Sequence, residues 1–507
     1  MRRQLFLGID IGTQSTRVAL VDALGKVVAS YSEGYALNTP FQGWAEQDPE
    51  LWWQAVLRGI AAVQSQADVK AGEILAIGCD SQMHATIPLG FSGELLSHSV
   101  QLWCDKRGSQ LVEKVKSDAY LPTAIQKAGS APVPAWWGFK ILWMKENQPE
   151  VYQKTWKFVT GSGFINYRLT GECSIDWSEA SGAFLMDVTT LDWSTELAEL
   201  LQIDLEKLPP IFRSSEVIGS VTPQAAALTG LPAGAPVVAG GGDMLTMLVA
   251  TGLVQRGRAM DVTGTASNLV FFVEQPVLNP PLMNLHHTLE GWCPFGIVES
   301  GGGSLRWFRD ELAAHAVDAR RASSQEVYEL LNAKAAQEEP GCGGLLYFPY
   351  LVGERILGTP NARGVFFGLT LRTTLGTMAR AIMEGITFEL RRTLEIVESV
   401  GNRVDEVYTT GGGARSAVWS QIKADIYKKP VFTLAADEGG VVGSAILAML
   451  GIGFYADPLT ATAHCVQTAR VYHPNPRNFD RYDALFGLFK EIHDQLQAPF
   501  NRLAAVL

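Results

Sequence analysis

The first eighty residues alternate short apolar runs with one longer periodic stretch. Residues 5–10 are continuously apolar until Asp10, which predicts a buried strand. Residues 16–21 predict a second strand. The turn Ala23-Leu24-Gly25-Lys26 follows, and a third strand starts at Val27, so the pattern is a β-meander. Asp48-Pro49 then opens a helix, with aspartate as N-cap and proline at the first position, running through Trp52 and Val56 to about Val63. Residues 74–79 form another short apolar strand ending in Asp80-Ser81-Gln82-Met83-His84. Strands followed by helices place the chain in the α/β class.

The pattern restarts near Ala250. Residues 259–262 predict a strand, Thr263-Gly264-Thr265 a turn, and strand-like sequence continues to Val273. The stretch I-D-I-G-T-Q-S-T at 9–16 is echoed by M-D-V-T-G-T-A-S at 260–267, which suggests two related halves facing one another. Residues 404–409 lead as a strand into Gly411-Gly412-Gly413-Ala414-Arg415-Ser416, and a helix follows from about Ala417. Residues 478–504 predict a terminal helix. The uncharged, glycine-rich segment 439–456 reads as a buried core helix, not as a membrane span.

A length of 507 residues exceeds what one core supports, so two domains are expected, 1–248 and 249–507. No low-complexity linker separates them, which predicts a tight hinge. Hydrophobic residues at 47% and charged residues at 18% fit a packed globular protein and exclude a disordered one. The net charge of −11 and the lack of a Lys/Arg run argue against a nucleic-acid partner. Six scattered cysteines without a C-x-x-C pair read as free thiols of a reducing compartment. The N-terminal M-R-R-Q-L-F-L-G-I-D has no signal-peptide pattern, so a cytoplasmic protein is expected, with no membrane association. His286-His287 has no further ligand at zinc spacing.

The common nucleotide and hydrolase signatures are missing: no G-x-x-x-x-G-K-[ST], no G-x-G-x-x-G after a first strand, no G-x-S-x-G. What stands instead are three triple glycines after apolar strands, at 240–242, 301–303 and 411–413. Glycine costs backbone entropy, so such clusters imply positive φ or close approach of a polar ligand. The hairpin Asp10-Ile11-Gly12-Thr13-Gln14-Ser15-Thr16 offers successive backbone N–H groups and hydroxyls, as a phosphate chain requires. Asp10 at its base is a hard ligand for Mg²⁺. The bland alternative is an ordinary glycine hairpin. Thr263-Gly264-Thr265 and the Gly411 loop favour the phosphate reading, because two hairpins then clamp a nucleotide from opposite domains. Asp243 follows Gly240-Gly241-Gly242 at a helix start. It is either a plain N-cap or a carboxylate that accepts the proton of an attacking hydroxyl. His84, after a buried strand, is either a satisfied structural histidine or a ligand-facing one. Trp103, near Asp105 and Arg107, either faces a sugar or fills the core.

Taken together the motifs resemble the FGGY family of carbohydrate kinases, and within it the xylulokinases. The resemblance runs in order through G-I-D-I-G-T (8–13), G-W-A-E-Q-D-P-E-L-W-W (43–53), S-Q-M-H (81–84), L-W-C-D-K-R (102–107), V-V-A-G-G-G-D (237–243), Y-F-P-Y-L-V-G-E-R (347–355), G-V-F-F-G-L (364–369) and T-G-G-G-A-R-S (410–416). It implies a two-domain actin-like, ribonuclease H-like ATPase fold with ATP and sugar in the interdomain cleft. It implies Asp243 as catalytic base and Asp10 beside the transferring phosphate, holding Mg²⁺ through water. Gln82, Met83, His84, Trp103 and Asp105 are the implied sugar contacts. Gly12, Thr13, Gln14, Ser15, Gly264, Thr265, Gly302, Gly411, Gly412 and Gly413 are the implied ATP contacts. D-xylulose is the expected substrate, with another ketose or a polyol as the alternative, and a homodimer is compatible with the resemblance. An actin-like ATPase without a small substrate is the alternative from another class. The chain departs from xylulokinases on the sugar side: Ser81 and Ala85 flank Gln-Met-His where glycines are usual, Cys104 replaces asparagine, and Ile356-Leu357 replaces Thr-Pro.

Overall fold

The computed structural model describes every residue except 1–2, 71, 280–281, 314–323, 355–358, 436–438 and 507. The departure at Ile356-Leu357, and Arg355 of the motif before it, lie outside the described residues. Two seven-stranded sheets carry the architecture.

The first sheet begins with the meander β1 (Leu5–Ile11), β2 (Ser15–Asp22) and β3 (Val27–Gly34). Helix α1 (Pro49–Gln66) follows, its N-cap Asp48 accepting from Glu50 N–H. Its face of Trp52, Trp53, Val56, Ile60 and Val63 is buried, and each such side chain contributes roughly 1.5–3 kcal/mol. Strand β4 (Ile74–Ser81) runs parallel to β1, and β2 runs antiparallel to it on the other side. Helices α2 (Trp137–Asn147) and α3 (Trp177–Ser181) lie in the excursion between β4 and the last strands. These last strands are β5 (Val217–Ser220), β6 (Pro236–Val238) and the short β7 (Gly241–Gly242). The sheet order is β5-β6-β4-β1-β2-β3, with β7 also on β4.

Helix α4 (Asp243–Ala250) leads into the second sheet. There β8 (Gly257–Thr263), β9 (Ser267–Phe271), β10 (Met283–His286) and β11 (Trp292–Val298) precede the helices α5 (Gly301–Trp307) and α6 (Leu375–Ser399). Then come β12 (Val404–Thr410), α7 (Ala417–Tyr427), β13 (Val431–Leu434), α8 (Gly439–Gly451), β14 (Thr468–Tyr472) and the terminal α9 (Phe479–Val506). The order is β10-β11-β9-β8-β12-β13-β14. The central strand β8 pairs antiparallel with β9 and parallel with β12, as β1 does with β2 and β4. The repeated motif therefore marks a repeated topology.

The uncharged segment forms α8, whose residues Val441–Met449 are buried. Although it comes from the second half of the chain, it packs on the first sheet. Val441, Ala445, Ile446 and Met449 join Phe6, Ala19, Ala76 and Val238 in one apolar cluster. Two glycines allow this approach: a Cβ on Gly8 would collide with the Val441 carbonyl, and one on Gly78 with that of Ser444. The N-terminal end of α8 is thereby held against the carboxyl ends of β1 and β4.

Candidate active site

Three strand ends in one sheet converge. Asp10 on β1 is in register with Asp80 on β4, and Asp80 with Gly241 on β7. Ligands of open α/β sheets bind outside these carboxyl ends. Adjacent parallel strands put register partners on one face about 4.8 Å apart, so Asp10 and Asp80 are side by side and perturb each other's protonation. Ser444 Oγ of α8 donates to Asp80 Oδ2 at 2.6 Å. Burial first, and then the charges of Asp10 and Asp243, push Asp80 well above the usual carboxylate range. Asp80 is fully buried and Asp10 only partly, so Asp80 is the more readily protonated of the two. Asp10 is also raised, mainly by burial, while Asp80 and Arg17 oppose the shift.

Asp243 is the first residue of α4, and Gly242 holds the N-cap position. The plain N-cap alternative is therefore not what the chain adopts. Asp243 Oδ1 accepts from the neighbouring Met244 N–H at 2.7 Å, and the residue stays partly exposed. Its carboxyl is pushed up to about 8 by burial and by Asp10, against the Met244 N–H. The glycines before it have a reason other than a ligand. Gly240 has φ +76°, and a Cβ there would strike the Cys79 carbonyl. A Cβ on Gly242 would come within 2.7 Å of Met83 Cγ. The backbone passes close to β4 and Met83, and Asp243 is delivered beside them.

Met83 and His84 form the wall next to Asp243. His84 has φ +62°, uncommon outside glycine. Glu179 of α3 holds this conformation: it accepts from His84 N–H at 2.9 Å, and His84 Nδ1 lies 3.2 Å from the same oxygen. Burial pushes Glu179 up to about 8 and His84 well below its ordinary value, so both are neutral near pH 7. Lys140 of α2 is also buried, lowered to about 7 by desolvation against the pull of Asp105, Cys104 and Glu179. Its Nζ donates to the Ala135 carbonyl.

Gln82 is fully buried. Its N–H donates to Ile11 O at 2.7 Å, and its Nε2 donates to Gln47 Oε1 at 2.9 Å. Trp103 is 48% exposed and donates from Nε1 to Thr13 Oγ1 at 3.1 Å. Asp105 is used inside the protein: Oδ2 accepts from Ala45 N–H at 2.7 Å, and both oxygens receive the Arg107 guanidinium. Arg107 also reaches Glu46 at 2.6 Å and stacks 3.5 Å over Trp44. The segment 44–46 thus braces the loop 103–107.

The glycine-rich turns form two further groups. In the hairpin 12–15, Gly12 N–H donates to Ser15 O at 2.9 Å, and Tyr35 OH to Gly12 O at 2.6 Å. Gln47 Nε2 donates to Thr13 O at 2.8 Å. Among the described residues the N–H groups of Thr13 and Gln14 find no acceptor. Across the molecule, Gly264, Thr265, Gly302, Gly411, Gly412 and Gly413 come together. A Cβ on Gly302 would meet the Gly264 carbonyl, and one on Gly411, at φ +79°, would come within 2.7 Å of Thr263 O. Gly412 faces open space.

Asp80, Glu179, Lys140 and Gln47 are the site residues that the sequence reading did not single out. Asp80 carried a signal, since it ends an apolar strand as Asp10 does. Lys140 is a lone cation within W-G-F-K-I-L-W-M, a second usable signal.

Residues 5–250 match the N-terminal domain of the FGGY family of carbohydrate kinases, and residues 259–452 match its C-terminal domain. The chain is 31% identical to a xylulose kinase of Bacillus subtilis, covering 96% of each protein. Among solved structures, a xylulose kinase from Rhodospirillum rubrum superposes with a TM-score of 0.92 at 29% identity, covering 98% of this chain and all of that one. A gluconate kinase from Lactobacillus acidophilus gives 0.90 at 29% identity, covering 99% of this chain and all of that one.

Proposed function

This chain belongs to the FGGY family of carbohydrate kinases and is a phosphotransferase that acts on a sugar hydroxyl, and from that premise we propose that it transfers the γ-phosphoryl group of ATP to D-xylulose, giving D-xylulose 5-phosphate. Family membership sets aside an ATPase without a small substrate. The observation that carries the reading is Asp243, a raised carboxyl at the strand ends, partly exposed and next to Met83.

Asp243 takes the proton of the acceptor hydroxyl. The hydroxyl oxygen bonds to the γ-phosphorus, and the bond from that phosphorus to the β–γ bridging oxygen breaks, leaving ADP. A base with a pKa near the working pH is the efficient choice, and about 8 meets that condition. The hairpin Gly12–Ser15 and the turns at Gly264-Thr265, Gly302 and Gly411–Gly413 hold the nucleotide from two sides, with the N–H groups of Thr13 and Gln14 supplied to phosphate oxygens. Gln82, Met83, His84 and Trp103 face the acceptor. Asp105 keeps the Trp103 loop in place.

The donors fit Mg²⁺. Asp10 is a partly exposed carboxylate residue, and among the described residues no three His, Cys, Asp or Glu side chains form a cage. Mg²⁺ is usually held by one or two carboxylates, waters and substrate phosphates. When bound there it supplies charge neutralisation of the phosphates.

A specific observation favours a second acceptor class. Lys140 is a buried amine close to His84 and Glu179, about half protonated near pH 7, and an aldonate such as D-gluconate would bring it a carboxylate that favours the charged form. ADP release is to be measured with Mg-ATP and D-xylulose, L-xylulose, D-ribulose, D-gluconate or glycerol, with the phosphorylated carbon located by NMR. D-xylulose is expected to give the largest stimulation and a 5-phosphate. Greater stimulation by D-gluconate, lost in Lys140→Met, would replace the acceptor and leave the kinase reading in place.

A further inference from the structure

Gln47 sits between the sugar-facing loop and the phosphate hairpin and uses its whole amide. Oε1 accepts from Gln82 Nε2 at 2.9 Å and from Trp52 Nε1 at 3.2 Å. Nε2 donates to Thr13 O at 2.8 Å and to Ala36 O at 3.3 Å. The orientation is fixed by its surroundings: two donors need the oxygen, and two carbonyls need the NH₂. Gln47 is 4% exposed, so none of these bonds exchanges with water at low cost. Beyond Gln82 are Met83 and His84. Beyond Thr13 are the N–H groups that the hairpin keeps unused.

A second observation points toward a ligand. Gln82 is fully buried, yet its Oε1 has no hydrogen-bond partner. A buried amide oxygen left without a donor costs about 1–3 kcal/mol, and a hydroxyl of a bound acceptor would satisfy it. Such a bond continues as a file of dipoles: acceptor hydroxyl to Gln82 Oε1, Gln82 Nε2 to Gln47 Oε1, Gln47 Nε2 to Thr13 O.

We propose that Gln47 is a positioning residue that couples acceptor occupancy to the phosphate hairpin, so that a bound sugar tightens the grip on the nucleotide. Gln47 touches neither ligand. It acts by fixing the Thr13 carbonyl and, with it, the geometry of the Thr13 and Gln14 N–H groups. The inference rests on the kinase reading of this cleft. Trp52 shares the same acceptor oxygen but leads away into the α1 core, so it serves as the control.

The test is the affinity for Mg-ADP by calorimetry, with and without a saturating concentration of whichever acceptor of the panel drives ADP release fastest. By linkage this ratio is a property of the coupling between the sites. The wild type is expected to bind Mg-ADP roughly fivefold or more tighter with acceptor present. Gln47→Glu keeps the acceptor oxygen for Gln82 and Trp52 and loses the donor to Thr13, so its ratio is expected to fall to within about twofold of unity. Trp52→Phe is expected to lower Tm and keep the wild-type ratio. A wild-type ratio in Gln47→Glu overturns the proposal, as does equal loss in Trp52→Phe. A ratio of one in a wild type that still releases ADP with acceptor overturns the coupling and leaves the kinase reading intact. Hydrogen exchange of the wild type needs no variant: acceptor alone should slow exchange in the hairpin 12–16, and an unchanged rate there would also refute the proposal.

Discussion

The two glycine hairpins at β1–β2 and β8–β9 look alike in sequence and differ in what their aspartates do. In the first, the last pair is Ile11 with Thr16. In the second it is Thr263 with Ser267. The second turn is one residue shorter, and counted back from that last pair Asp261 corresponds to Ile9, and Asp10 to Val262. Side chains alternate along a strand, and a slip of one residue sends each to the opposite face. Asp10 faces the cleft beside Asp80. Asp261 faces the core, where Lys423 Nζ donates to Oδ1 at 2.6 Å and Tyr427 OH to Oδ2 at 2.7 Å. The same Lys423 reaches Thr263 Oγ1 at 2.8 Å and Thr409 Oγ1 at 3.0 Å. One aspartate thus stands at the candidate site, and the other fixes the turn that carries Gly264.

The largest effect should come from breaking the buried side of this comparison. Lys423 and Asp261 have no exposed side-chain surface, so Lys423→Met leaves an unpaired buried carboxylate. It is expected to cost about 3–5 kcal/mol of stability in chemical denaturation. The pair Asp261→Leu with Lys423→Met should recover most of that loss. On the cleft side, Asp10→Asn should lower kcat by about a hundredfold or more and leave Tm nearly unchanged. If Asp10→Asn unfolds the protein and Lys423→Met only slows it, the two roles are reversed.

Smaller effects sharpen the contrast. Glu179 has its folded pKa raised from 4.5 to about 8, so the folded protein binds a proton that the unfolded chain releases. That contribution is full below about pH 4.5 and is lost as pH rises toward 8. Glu179→Gln keeps the acceptor for His84 N–H and removes this loss. Its stability should gain on the wild type with rising pH, by on the order of 4 kcal/mol near pH 8. A constant difference between pH 5 and pH 8 would contradict the burial argument. At the glycine-rich turns proposed to hold the nucleotide, Gly302→Ala would press on the Gly264 carbonyl and should cost about 1–3 kcal/mol, with a higher KM for ATP. Gly412→Ala meets open space, and its stability should stay within about 0.5 kcal/mol of the wild type.

Local features were legible in the sequence. The meander, the Asp48-Pro49 helix start and the Gly411 loop before α7 each follow from a few adjacent residues. The motif echo pointed correctly to two halves of one topology. It could not show which aspartate faces the cleft, because that depends on strand register and turn length. Nor could it show that α8 crosses to pack on the first sheet, which Gly8 and Gly78 permit. Glu179 and Gln47 remained hidden because their roles depend on His84, Gln82 and Thr13, which are distant in sequence. The glycines at 240–242 were read as room for a ligand, and their cause is the close passage of β4 and Met83.

The central claim is that Asp243 is the base of an acceptor-dependent phosphoryl transfer. Its most direct test is the ADP release of the wild type and of Asp243→Asn with and without D-xylulose, across pH 6 to 9. The wild-type stimulation should rise with pH as a carboxyl held near 8 loses its proton. Asp243→Asn should lose at least about a hundredfold of that stimulation at every pH. Stimulation that survives in Asp243→Asn with the same pH profile would contradict the account.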